Sequence, residues 1–496
     1  MDLQRSCGVL LHPTAIPNKY GVGDFGAEAY DFIDLLDSLG QSYWQILPLT
    51  IPEKGNSPYS PLSSFAGNPL LISLDKLVDE GLLSSDDLKS VSSYEAKINF
   101  DPIIADKKRL LRQAFRNFSP EDIHYQEFCQ HHWLADYSLF ITLYEKNQRT
   151  AWSEWEESEK DATKEVKGQL NITYQEEIAY HNFVQYIFYK QWQELKQHAN
   201  AKQIQIIGDI PIYVSYNSAD VWANKELFQL DDNFKPEYIS GVPPDDFNHD
   251  GQIWENPLYD WEKNKETGYR WWKERVAYNL HLTDVVRLDH FIGFTRYWSI
   301  PAKLFDAKQG EWLPGPNSHF FTELQKAIPN LNILAEDLGL LTKEVTNLKN
   351  KFEFPGMIVL HYALDEHEFI PQAYPIRTFI YTGTHDNNTT IGWWEEFAQH
   401  HDQTKKNLYE YLKHIRGRQD VVINLRTIAY DMIELAYSSS CVVAIIPMQD
   451  ILELGSEYRM NRPGIANGNW GMRLPQDYLG NIDCEKLNGL RGKYNR

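Results

Sequence analysis

Cysteine is scarce in this chain, with four in 496 residues. Cys7, Cys129, Cys441 and Cys484 stand far apart, with no CxxC pair and no metal-spaced histidines beside them. That pattern excludes a disulfide framework and a structural zinc site, and it points to a reduced compartment. No run approaches the roughly 18 to 20 apolar residues of a membrane span. The stretch Met1 to Pro17 has no basic segment leading into a long apolar one, so no signal peptide is read. A soluble, cytoplasmic protein is the expectation. Positive charge is also in short supply: 48 Lys and Arg face 69 Asp and Glu, a net charge of −21. Phosphate binding needs a clustered excess of Lys and Arg, so a nucleic-acid partner is not expected. Neither a GxGxxG nor a P-loop joins a strand to a helix, and no EF-hand-like ligand run is visible. No organic cofactor and no metal are expected.

Aromatic residues are abundant, with 15 Trp and 29 Tyr. Core packing accounts for most of them, yet the apolar faces of sugar rings also lie flat on such rings. Short apolar, β-branched runs recur at Gly8–Leu11, Tyr43–Leu49, Ile204–Ile207, Val285–Leu288, Ile333–Leu334, Met357–Leu360, Thr378–Tyr381 and Val442–Ile446. Continuous apolar runs without alternation read as strands buried on both faces, as in parallel sheets. Helical stretches separate many of them. Ala27 to Leu39 places Ala29, Phe32, Ile33, Leu36 and Leu39 on one face, with Gly40 as a stop. Eight strands alternating with helices predict an α/β fold, a (β/α)8 TIM barrel formed by a single catalytic domain over 1–496. The uneven spacing predicts large helical and loop insertions between barrel strands. One, at 71–203 after strand 2, reads as largely helical. The other, at 211–283 after strand 3, is rich in Pro, Gly, Asp and Asn and reads as mostly loop.

Catalytic groups of such barrels sit at the C-terminal ends of strands. Asp289 follows the fourth run, Glu336 the fifth and Asp386 the seventh. A lone Asp after a strand is ordinarily a turn former, but three carboxylates on one rim, flanked by Arg287 and His385, suit retaining glycosyl transfer. That chemistry needs one ionised carboxylate as nucleophile and one protonated carboxyl as acid, roughly 5 to 5.5 Å apart. Adjacent barrel strands lie about 4.8 Å apart, so Asp289 and Glu336 can meet this spacing. Strand alternation turns Arg287 to the same face as Asp289, where its charge favours the ionised form.

The ordered series Ser57-Pro58-Tyr59-Ser60, Ser64-Phe65-Ala66-Gly67-Asn68-Pro69, Gly208-Asp209-Ile210-Pro211, Gly241-Val242-Pro243-Pro244-Asp245, Gly251-Gln252-Ile253-Trp254, Arg287-Leu288-Asp289-His290, Ala335-Glu336-Asp337-Leu338-Gly339 and Gly383-Thr384-His385-Asp386-Asn387 resembles the amylomaltase, or disproportionating-enzyme, family of 4-α-glucanotransferases, relatives of the α-amylases. The resemblance spans essentially the whole chain. It implies Asp289 as nucleophile, Glu336 as general acid/base and Asp386 as transition-state stabiliser. It implies substrate contacts from Arg287, His385, Asp209, Tyr59, Trp254, Gln252 and Asn387, and an acceptor-side loop at 241–257. The chain departs from the family pattern at Glu255, where Gly is usual, and at Asn217 and Asn388.

The implied partners are maltooligosaccharides and α-1,4-glucans, as donor and acceptor. Two other readings stay open: an α-1,4-glucan hydrolase built on the same carboxylates, and a non-catalytic glucan-binding protein.

Overall fold

The computed structural model describes residues 1–496 apart from 2, 54, 92–95, 245–248, 340, 367–368 and 466. The strands among the described residues are β1 (Ser6–Leu10), β2 (Tyr43–Gln45), β3 (Gln205–Ile210), β4 (Tyr238–Val242), β5 (Gln252–Pro257), β6 (Val285–Leu288), β7 (Arg296–Pro301), β8 (Glu311–Pro314), β9 (Ile333–Ala335), β10 (Gly356–Val359), β11 (Thr378–Tyr381) and β12 (Val443–Pro447). Eight of them form one sheet in the order β10-β11-β12-β1-β2-β3-β6-β9, and every pair along it is parallel. These are the eight apolar runs of the sequence, and β1, β2, β6, β11 and β12 are buried along their whole length. The sheet curls into a (β/α)8 barrel. Its seam lies between β9 and β10, bridged by Ala335 N–H donating to Pro355 O at 2.9 Å and Met357 N–H donating to Asp337 Oδ1 at 2.7 Å.

Helix Ala27–Ser38 shows how the outer layer forms. Ala29, Phe32, Ile33 and Leu36 are buried on one face, and Gly40 ends the helix with φ +61°, a left-handed conformation that glycine adopts without a Cβ penalty. Between β2 and β3 lie helices Phe100–Asn117, Leu134–Lys146 and Gln175–Ala201. The last is docked on the barrel by Phe188 and Trp192, whose rings meet Phe25 at 5.3 and 5.1 Å. It also grips the chain that follows β2. Gln185 accepts from Gly67 N at 2.7 Å and donates to Gly67 O at 2.9 Å, and Gln191 does the same for Ser73 at 2.7 and 3.2 Å. Two buried amides thus replace the missing strand partners of this segment, as buried backbone polar groups require.

The segment 211–283 differs from the loop expected of it. It contains β4, β5 and the helices Ala219–Ala223, Trp261–Glu266 and Arg270–Leu282. Pro211, Pro236, Pro243, Pro244, Gly251 and Gly268 sit between these elements, while Trp271, Trp272, Val276 and Leu282 supply a buried helix face. β4 and β5 pair antiparallel and join β7 and β8 in a second, four-stranded sheet, β5-β4-β7-β8. The expected loop 241–257 is therefore framed by the end of β4 and the whole of β5, and its Asp245 and Asp246 lie outside the described residues. The β4–β5 register is irregular, and within β5 Glu255 has φ +64°, a bulge conformation that explains why a glycine serves well there. Among the described residues no helix is long and apolar enough to cross a membrane.

A Cβ added at Gly67 would come within 2.1 Å of the Phe188 ring. Gly67→Ala is therefore expected to destabilise the fold by about 1–3 kcal/mol through overpacking. The measurement is thermal unfolding, and an unchanged midpoint would show that the Gln185 contact does not hold this segment against the helix.

Candidate active site

Register places the site. Asp209 of β3 is the direct partner of Arg287 in β6, and Leu288 is the partner of Ala335 in β9. Two further backbone bonds, Asp289 N to Ile210 O and Glu336 N to Leu288 O, both 3.0 Å, extend the ladder past the strand ends. Asp289 and Glu336 consequently emerge side by side at the C-terminal rim.

Arg287 is buried and directs Nη1 at Asp209 Oδ1 and Oδ2, 2.9 and 2.7 Å away, and at Asp289 Oδ1, 2.8 Å away. Burial lowers the guanidinium pKa, but the charges of Asp209 and Asp289 outweigh it and hold the group firmly protonated. Burial pushes Asp209 up to about 7 against the opposing Arg287 charge. Tyr59, on the turn after β2, donates its hydroxyl to Asp209 Oδ2 at 2.8 Å. Its ring stacks on His385 with centroids 4.9 Å apart and planes at 14°. Burial first, then Asp209, raises the Tyr59 hydroxyl well above its ordinary value, so it stays a donor.

Glu336 accepts from two backbone amides, His290 N–H to Oε2 at 2.7 Å and Leu338 N–H to Oε1 at 3.2 Å. Desolvation raises its pKa; Arg287 opposes the rise and Asp289 adds to it. The site thus separates two neighbouring carboxyls, one ion-paired to Arg287 and one held towards its protonated form, the arrangement acid–base chemistry needs. Asp386 lies across the rim, after β11. Its Oδ1 accepts from Asn461 Nδ2 at 2.6 Å, and its Oδ2 is 3.4 Å from His385 Nε2. Burial lowers the pKa of His385, keeping its ring neutral.

The structure brings Asp209, Arg287, Asp289, Tyr59, His385 and Asp386 into one connected network. Glu336 joins it through the field of Arg287 and Asp289. Trp254 and Gln252 lie on β5, with Trp254 Nε1 donating to Gln252 Oε1 at 3.1 Å. They approach the network through His290, whose ring meets Trp254 edge-on at 4.9 Å. Asn387 is spent largely on its own turn, where Oδ1 accepts from Thr384 N and Thr384 Oγ1, both at 2.9 Å. Sequence reasoning missed Asn461, Arg459, Trp470 and His290. Arg459 donates to Asp386 O at 2.7 Å, and the Trp470 ring lies 5.8 Å from Tyr59 and 6.0 Å from His385. The turn-rich segment ending Gly468-Asn469-Trp470-Gly471 is the signal for the first three, and His290 stands in the motif Arg287-Leu288-Asp289-His290 without a role of its own. Among the described residues no cluster of His, Cys, Asp and Glu is arranged to hold a metal ion.

Known proteins are similar to this chain in sequence and share this fold. The family model of glycosyl hydrolase family 77, 4-alpha-glucanotransferase, matches residues 11–478. A 4-alpha-glucanotransferase of Synechocystis is 44% identical, over 99% of this chain and 98% of its own. One from Thermus thermophilus is 40% identical, over 96% of this chain and 95% of its own. The structure of an amylomaltase from Streptococcus agalactiae in complex with acarbose superposes with a TM-score of 0.93 at 35% identity, covering 99% of this chain and 100% of that one. With a shared barrel and near-complete coverage on both sides, this chain belongs to the 4-alpha-glucanotransferase family, glycosyl hydrolase family 77.

Proposed function

We propose that the protein moves α-1,4-glucan segments between maltooligosaccharides by double displacement, with Asp289 as nucleophile and Glu336 as acid and base. The observation that carries this reading is the division of charge around Arg287: one guanidinium neutralises Asp209 and Asp289, while Glu336 beside them is raised by desolvation. The solved relative with acarbose bound adds a sugar-like ligand held by the same fold.

In the first step an Asp289 oxygen attacks the anomeric carbon, and the bond from that carbon to the glycosidic oxygen breaks. Glu336 gives its proton to that oxygen, and the reducing-end fragment leaves with a free hydroxyl. In the second step the 4-hydroxyl of an acceptor glucan attacks the same carbon. Its proton passes to Glu336, and the Asp289 ester bond breaks. Asp386, steered by Asn461, offers its carboxylate to the ring hydroxyls and to the oxocarbenium-like charge. Arg287, Asp209, Tyr59 and His385 hold the sugar at the cleavage point. Trp254 and Gln252 face the acceptor side. We place the reaction in the reduced cytoplasm, in keeping with four unpaired cysteines.

Incubation with maltotriose tests the reaction class. Glucose and longer maltodextrins are expected to appear while total reducing ends stay constant. Reducing ends that climb in step with glucose would make the protein an α-glucan hydrolase.

The role of Glu336 has a separate test, because α-maltosyl fluoride loses its fluoride without proton donation. Glu336→Gln is expected to slow maltotriose cleavage by about 10²–10⁴-fold, yet to release a burst of fluoride as the covalent intermediate forms. Loss of that burst together with maltotriose cleavage would remove Glu336 from the acid role.

The pH dependence follows from the raised Glu336 pKa. The protonated acid is fully present below that value and is lost as pH rises through it. Maltotriose cleavage is therefore expected to show an alkaline limb that the fluoride burst lacks. A matching limb in both profiles would assign the titration to another group.

A further inference from the structure

His290 stands between the β4–β5 hairpin and Glu336, and its backbone is left-handed, with φ +48° and ψ +53°. A residue with a Cβ pays for that conformation, and only Gly adopts it freely. The turn is pinned on both sides: Asp289 N–H donates to Ile210 O and Phe291 N–H to Glu336 O, both at 3.0 Å. The strained residue is the one whose N–H reaches Glu336 Oε2 at 2.7 Å. Relaxing His290 towards ordinary backbone angles would swing this amide away from the carboxyl.

The contact that opposes relaxation is on the ring. The His290 imidazole stands edge-on to the Trp254 indole, centroids 4.9 Å apart and planes at 87°, the geometry in which one ring's edge meets the other's face. Trp254 is itself held in place. Its Nε1 is bonded to Gln252, its ring lies 6.2 Å from Tyr213, and Glu255 beside it is left-handed as well. Burial lowers the His290 pKa to about 4, so the ring packs as a neutral group and adds no second cation beside Arg287.

We infer that His290 is a positioning residue for the acid/base, and that Trp254, by clamping its ring, holds the amide that aligns Glu336. The β4–β5 hairpin therefore does more than contact sugar: a displacement of Trp254 reaches the proton donor through one strained turn. A leaving group or acceptor that seats Trp254 correctly aligns the carboxyl, and a poorly seated one leaves it misaligned. The selectivity this confers is exerted on proton transfer as well as on binding.

The inference rests on Glu336 being the acid, and a double-mutant cycle tests it. The readout is the maltotriose cleavage rate divided by the α-maltosyl fluoride burst rate, which isolates the acid-dependent part of the first step. Trp254→Ala is expected to lower this ratio by about tenfold, the size of one released backbone strain. In a His290→Gly background the same change is expected to cost less than about twofold, because a glycine at this position keeps the left-handed turn without a clamp. Trp254→Phe, which retains a ring, is expected to restore most of the ratio. An equal fall in both backgrounds would mean that Trp254 only binds sugar, and no fall in either would mean that the turn holds itself; each overturns the inference. Should Glu336→Gln leave maltotriose cleavage unchanged, the acid assignment itself is what fails, and the cycle is not needed to show it.

Discussion

One guanidinium among three carboxylates governs this structure. Arg287 satisfies Asp209 and Asp289 directly, and Glu336 stands within the same field with no ion pair of its own among the described residues. Burying an uncompensated charge is costly, and a group left without a partner neutralises instead. Asp289 and Glu336 are thereby told apart by where a single cation sits. Much of the rim serves that placement: Tyr59 donates a further hydrogen bond to Asp209, and the β3–β6 register sets Asp209 and Arg287 abreast.

The helical insertion and the second sheet both act on this centre. Helix Gln175–Ala201 clamps the backbone after β2 through Gln185 and Gln191, fixing the segment whose preceding turn presents Tyr59. The four-stranded sheet presents Trp254 to His290. The barrel carries the carboxylates, while the two additions brace the residues around them, in keeping with barrels that vary function through the loops at one face.

How much of this could be read from the sequence depended on the kind of interaction. The eight barrel strands were legible because burial on both faces writes a continuous apolar run, as in Val285-Val286-Arg287-Leu288 with one functional interruption. Asp289 and Glu336 were legible because they follow such runs directly. β4, β5, β7 and β8 were not, since each is a short run interrupted by polar residues, Gly or Pro, as in Tyr238-Ile239-Ser240-Gly241-Val242, and β5 is broken by a bulge. His290 stands in a motif of the sequence, but its role was not legible there because its contribution is a backbone direction, which its side chain does not encode. Asn461 reaches Asp386 from 75 residues away, a distance over which no local pattern carries information. Glu255 was visible as a departure from the family pattern, yet only its left-handed φ gives that departure a meaning.

The position of β1 in the barrel bears on how the protein is made. It pairs with β2 on one side and with β12 on the other, Ser6 lying opposite Val443. While the chain emerges from the ribosome, β1 can find β2 at once, but its second edge has no partner until the last strand is synthesised. An unpaired edge is a template for wrong association, and contacts so distant in sequence form slowly. The nascent protein thus spends nearly the whole of its synthesis as an open sheet, and its passage to the native state turns on a single late docking of its final strand beside its first.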